Sequence, residues 1–127
     1  MAIRAKNKIE NTHLGLGSKD IAKLCAKAAD DKKAHDIVIL DLAELTSFTD
    51  FFVICSAPSE RQVQAIVRNV QDSLRDHHIK ISGVEGLETS SWVLIDAGEV
   101  IFHCFTDSAR EYYDLEGFWI DAHKIDF

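Results

Sequence analysis

From Ser18 onward, apolar and polar positions recur regularly enough to assign elements. Ile21, Leu24, Cys25 and Ala28 repeat at helical spacing behind Ser18, a residue type that caps helix N-termini, and Asp20 in the first turn suits the helix dipole. A short amphipathic helix is predicted, ending in the polar stretch Asp30 to His35. Ile37-Val38-Ile39-Leu40 and Phe51-Phe52-Val53-Ile54-Cys55 are continuous apolar runs, as in strands covered on both faces. Ser59-Glu60-Arg61-Gln62 matches a capping box, in which hydroxyl and amide side chains satisfy reciprocal backbone donors. Behind it Val63, Ile66, Val67, Val70 and Leu74 line one helical face, while Arg61, Arg68, Asp72 and Arg75 lie mostly off it.

Further along, Ile79 to Ile81 reads as a short strand, and Gly83 and Gly86 bracket a turn-rich stretch. Trp92-Val93-Leu94-Ile95, the turn Asp96-Ala97-Gly98 and the run Val100 to Phe105 form a predicted β-hairpin. Ser108-Ala109-Arg110-Glu111 is a second capping-box match, opening a last helix through about Leu115, with Gly117 as its stop. The predicted organisation is a polar lead-in over 1–17 marked by Gly15 and Gly17, one domain over 18–120, and a tail over 121–127. Helix, two strands, helix, short strand, hairpin and helix give an α/β (α+β) single domain. Its mixed sheet has about five strands, flanking helices and one right-handed crossover through the middle helix. In both hairpin strands each face is apolar: Trp92, Leu94, Phe102 and Cys104 alternate with Val93, Ile95, Ile101 and Phe105. Either the three helices cover both faces of this sheet, or apolar surface is left for a partner.

Composition narrows the partners. The chain has 127 residues, a length for one domain, and 46% hydrophobic residues, enough for one compact core. Its 14 basic and 21 acidic residues give a formal net charge of −7. A phosphate backbone is bound through basic patches that release counterions, so direct DNA binding is not expected, and a basic protein partner is steered in. Cys25, Cys55 and Cys104 are an odd, widely spaced set without a C-x-x-C pair, which argues against a disulfide framework or zinc ribbon and for small hydrophobes in a reducing cytoplasm. No stretch has the length of a membrane span or the look of a signal-peptide core, and Arg4, Lys6 and Lys8 form only a short basic start.

The search for chemistry yields no catalytic set, no metal site and no cofactor. No Walker motif, G-x-G-x-x-G or H-E-x-x-H occurs. Gly15-Leu16-Gly17-Ser18 follows no strand and lacks the lysine of a phosphate loop, so it reads as a helix lead-in. A nucleotidyltransferase metal site needs two carboxylates two residues apart on one strand face. Asp30 and Asp31 are adjacent and precede the strand, and Asp36 and Asp41 flank it without that spacing. His77 and His78 fall at a helix C-terminus, where a cation suits the dipole. His103, between Phe102 and Cys104, reads as a hydrogen-bonded core or edge histidine; His13, His35 and His123 lack ligand spacing. No nucleophile-elbow pattern gathers a Ser-His-Asp set.

Specific strings carry a family resemblance. Asp36-Ile37-Val38-Ile39-Leu40-Asp41-Leu42 with Ser47-Phe48-Thr49-Asp50-Phe51-Phe52-Val53-Ile54-Cys55 resembles the opening signature of the Iojap-like ribosomal silencing factors. Ser59-Glu60-Arg61-Gln62-Val63, Gly83-Val84-Glu85-Gly86, and the run from Trp92 to His103 continue it, and Ala109 to Glu116 with Trp119 closes it. The matches run in order from about Ser18 to Trp119. The resemblance implies a domain shaped distantly like nucleotidyltransferases but lacking their metal carboxylates, and a binder, not an enzyme. It also implies a homodimer when free. The partner it implies is the large ribosomal subunit, engaged through large-subunit ribosomal protein fourteen at the subunit-joining face, so that joining would be blocked and translation lowered. By position Trp92 is the leading binding residue, with Asp96, Tyr113 and Trp119 nearby. Trp and Tyr suit anchors because they bury large areas with few rotors to freeze. Asp96 pairs with a basic partner residue or shapes the Asp96-Ala97-Gly98 turn; Trp92 is an anchor or a core residue; Tyr113 and Trp119 bind or pack the last helix. Ala97 stands where many members carry a bulkier residue, implying a different contact surface at the turn. The competing functions are a degenerate nucleotidyltransferase-like enzyme and a homodimeric protein-binding scaffold.

Overall fold

A computed structural model describes residues 16–127; the basic start, Gly15, His13 and most of the lead-in lie outside the described residues. Helix α1 spans Ser18–Asp31, strand β1 His35–Asp41, β2 Phe51–Ala57, helix α2 Glu60–Asp76, and β3 Gly83–Glu85. They are followed by β4 Trp92–Asp96, β5 Val100–Thr106, helix α3 Asp107–Tyr113, a 3-10 turn Leu115–Trp119, and β6 His123–Lys124. The strands form one six-stranded sheet in the order β3-β4-β5-β2-β1-β6. Among the described strands only β2 and β5 run parallel, and the chain between them passes through α2, β3 and β4. Every residue of β2 is buried, as its unbroken apolar run requires of a central strand.

The sixth strand comes from the segment 121–127 set apart above as a tail: His123 and Lys124 pair with Asp41 and Leu40, and Ile125 N–H donates to Ile39 O at 2.9 Å. At the other end Leu16, assigned to the lead-in, packs on the core, and Gly17, not Ser18, is the N-cap of α1. Asp20 accepts from the Gly17 N–H at 3.2 Å. Ser18 is then free to donate from Oγ to Asp50 Oδ2 at 3.0 Å. Two further element assignments move. Ile79 to Ile81 is no strand: Ile79 N–H donates back to Leu74 O, and His78 N–H to Arg75 O, with His78 at φ 58. This is a Schellman closure of α2 whose buried Ile79 caps it, and the short strand begins only at Gly83. α1 closes the same way on Lys33, at φ 62. The last helix is capped by Thr106, whose hydroxyl accepts from Ala109 N–H at 3.3 Å, not by Ser108. It ends at Tyr113 on a left-handed Asp114, so Gly117 is not its stop but lies inside the 3-10 turn.

The sheet separates two cores. On the inner face α1 and α2 pack Ile21, Cys25, Val63, Ile66, Val67, Val70 and Leu74 against Ile39, Val53, Val93, Ile95, Phe102 and Cys104. On the outer face Leu40, Leu42, Phe52, Ile54 and Phe105 form a smaller core, partly roofed by Trp92, Ala109, Leu115 and Trp119. Asp96 pairs with Ile101, so four residues lie between these partners and the pairing offset is odd. Trp92 and Leu94 therefore share a face with His103 and Phe105, not with Phe102 and Cys104 as simple alternation had grouped them.

Candidate partner-binding surface

The outer face is built around Trp92. Two loop devices deliver this residue to the start of β4. Gly86 sits at φ +93, and a Cβ there would lie 2.0 Å from the Trp92 carbonyl oxygen, so only glycine lets the two backbones approach. Ser90, buried at φ 57, donates from Oγ to Leu87 O at 2.8 Å and accepts from Gln64 Nε2 of α2 at 3.0 Å. The loop thus hangs on the inner helix while the indole emerges on the outer face.

There the indole is half-buried. It stacks on Phe105, with centroids 4.8 Å apart and planes at 27°, and meets the Tyr113 ring at 5.0 Å. Its Nε1–H donates to His103 Nδ1 at 3.1 Å. His103 is only 3% exposed, and burial lowers its pKa to about 3, so it is a neutral acceptor in the aromatic layer. Phe52 packs on the other side of the imidazole at 4.4 Å, Trp119 on Phe52 at 5.9 Å, and Phe48 on Trp119 at 6.5 Å. A continuous aromatic band thus crosses the outer face from Tyr113 to Phe48. Its ends are open to solvent: Tyr113 is 47% exposed, Tyr112 82% and Phe48 57%. Beside Trp92, Glu85, Gly86 and Leu94 line a shallow cleft of about 290 Å³ with an acid at its rim.

One cation fixes the roof of this band. The Arg110 guanidinium donates to both carboxylate oxygens of Glu116 at 3.0 and 3.1 Å, to the carbonyls of His35 and Asp36 at 3.2 and 2.7 Å, and to Ser56 Oγ at 3.2 Å. The two carbonyls are available because β1 bulges between His35 and Val38, with Asp36 at φ 47. Arg110 therefore ties both sides of the Asp114 corner, and with them Tyr113 and Trp119, to the sheet.

Of the four residues singled out in the sequence, Trp92 and Tyr113 touch, and Trp119 joins them through Phe52 and His103. Asp96 stands on the same face at the far end of β4, where Oδ1 accepts from Gly98 N–H at 2.9 Å and shapes the turn. Ala97 is buried in the inner core, so the departure there does not alter the outer surface. His103 is the hydrogen-bonded core histidine that the sequence suggested, but its place beneath Trp92, with Phe105, follows only once the hairpin offset is known, and Phe52 joins them from β2. The cysteines are buried hydrophobes: burial pushes the Cys25 thiol up to about 12, and burial, with Cys104 beside it, pushes Cys55 well up. His77 closes α2, its Nδ1 donating to Ser73 O at 2.9 Å. Among the described residues no group of three His, Cys, Asp or Glu could hold a metal ion, and no helix is long and apolar enough to cross a membrane.

Comparison with known proteins gives this surface its setting. The family model "Ribosomal silencing factor during starvation" matches residues 16–127. A ribosomal silencing factor of Bacillus subtilis is 40% identical, the match covering 87% of this chain and 94% of the relative. A crystal structure of a Chromobacterium violaceum protein superposes with a TM-score of 0.81 at 38% identity, covering 88% of this chain and 92% of that one. More distantly, the mouse protein named "Mitochondrial assembly of ribosomal large subunit protein 1" is 27% identical, matching 82% of this chain and 47% of its own length. The chain belongs to the ribosomal silencing factor, or Iojap-like, family.

Proposed function

We propose that this protein binds the large ribosomal subunit at its subunit-joining face, through large-subunit ribosomal protein fourteen, and blocks joining of the small subunit by occupying that face. No bond is made or broken, and translation falls as free subunits accumulate. The observation that carries the reading is the half-buried Trp92, stacked on Phe105 and flanked by the exposed Tyr113 on the outer face of the sheet. A rigid aromatic group at the centre of a partly open apolar patch is the usual form of a protein-binding anchor. Tyr113 and Trp119 extend the contact, and Asp96 offers charge at its far end. The net charge of −7 favours a basic protein partner and resists the RNA of an approaching subunit. The family membership supplies the ribosome, and the name of the mouse relative points to the large subunit. When free the protein pairs as a homodimer in the cytoplasm.

Sucrose-gradient sedimentation of purified subunits tests the reading. The protein is expected with the large subunit, absent from joined ribosomes, and able to shift joined ribosomes toward free subunits. Enrichment on the small subunit alone overturns it.

A further inference from the structure

An exposed or half-exposed tryptophan ordinarily leaves its indole N–H to water or to a partner's acceptor. Here that N–H is taken within the fold, by His103 Nδ1 at 3.1 Å. Because Nδ1 accepts, the proton of the neutral imidazole is on Nε2. That nitrogen is buried with no hydrogen-bond partner and lies in the layer where the Phe52 ring meets the imidazole in a T-shaped contact at 4.4 Å. A buried donor without a partner is costly, yet leucine or phenylalanine would fill this sheet position without that cost. What histidine supplies and they cannot is an acceptor for the indole.

From this arrangement we infer that His103 is a positioning residue for partner binding: it turns the polar edge of Trp92 into the sheet, so that the indole meets its partner as an apolar surface of fixed orientation. The inference rests on Trp92 being the contact proposed above. Stacking on Phe105 sets the plane of the ring, and the hydrogen bond sets which edge faces out. The pocket that receives it on the ribosomal protein is then lined by aliphatic or aromatic carbon and needs no acceptor for the indole. Binding also avoids freezing the indole rotor at the moment of contact.

Three proteins test this: Trp92→Ala, His103→Leu and His103→Asn, the last retaining an acceptor near the position of Nδ1. Large-subunit binding is measured on each folded protein, and the hydrogen-exchange rate of the Trp92 indole N–H on the unaltered protein and the two His103 variants. In the unaltered protein the indole proton exchanges slowly. In His103→Leu it exchanges fast, and affinity falls by about fivefold or more. In His103→Asn, which also guards against a Leu variant that does not fold, slow exchange and most of the affinity return. If Trp92→Ala binds normally, the interface reading fails and this inference with it. If Trp92→Ala binds poorly while His103→Leu binds normally, only the positioning role is overturned. Fast indole exchange in the unaltered protein also overturns it.

Discussion

The two faces of the sheet are built on different rules. Beneath α1 and α2 the core is aliphatic with two phenylalanines and three cysteines, each nearly or fully buried. On the outer face the layer is aromatic, it carries polar handles in Trp92 and His103, and its edges stay open. An aliphatic layer stabilises by close packing and loses heavily when any member is cut. An aromatic layer with its edges exposed contributes less to folding and keeps a rigid, amphipathic surface available. On the reading proposed above, one sheet divides stability and recognition between its sides, with β2 and β5 shared by both.

The largest effect tests the inner face. Phe102→Ala is expected to cost about 3–5 kcal/mol of stability in denaturant unfolding, while the fraction that remains folded binds the large subunit normally. Lost binding by the folded fraction would break the division. Arg110→Ala comes next, at about 2–3 kcal/mol, since it leaves Glu116, Ser56 and two carbonyls without their donor. It should also weaken binding, because Tyr113 and Trp119 lose their tether; unchanged affinity would remove the roof from the binding surface. Trp92→Ala should weaken binding by about 2 kcal/mol, roughly thirtyfold. The partly buried, stacked ring means that folding also suffers, and a stability loss that exceeds the binding loss would assign Trp92 to the core.

Smaller per pH unit is an effect of acid on the outer layer. Burial holds the His103 pKa at about 3, below its ordinary 6.5. Below pH 6.5 the unfolded chain takes up a proton that the folded chain refuses, so stability is full above that pH and falls toward pH 3. The slope from this group is at most about 1.4 kcal/mol per pH unit. Unfolding of the unaltered protein and His103→Asn across this window isolates it, since the other groups are common to both; parallel stability curves would show that His103 does not stay neutral.

Much of this was legible in the chain. The capping serine and stripe of α2 worked because propensity, capping and burial agree there: Ser59 Oγ accepts from Gln62 N–H, and all five stripe residues are buried. The unbroken run Phe51 to Cys55 announced a central strand for the same reason. The misplacements have a common origin in information held elsewhere in the chain. Ser108 and Thr106 are equivalent cap types, and the choice falls to Thr106 because β5 pairs with β2 out to that residue. Ile79 looks like strand but is used to close a helix whose left-handed residue is a histidine, where glycine would have given a signal. Trp92 and Tyr113 were proposed by resemblance, yet placing His103 and Phe105 beneath them depends on the Asp96–Ile101 pairing, which shifts the register by one from simple alternation. A strand's own alternation fixes its two faces but not which neighbour's face they join.

The bulge in β1 has one further consequence. A sheet edge usually offers a row of unused backbone groups on which another chain can add a strand, and this is how many sheets aggregate. Here the carbonyls of His35 and Asp36 are occupied by Arg110, and Ile39, Leu40 and Asp41 are overlaid by β6 and Ile125. The opposite edge, β3, is three residues long. Neither border invites a long added strand, so whatever docks on this protein must recognise side chains. The same geometry guards a chain rich in apolar strands against polymerising with its own copies at high concentration.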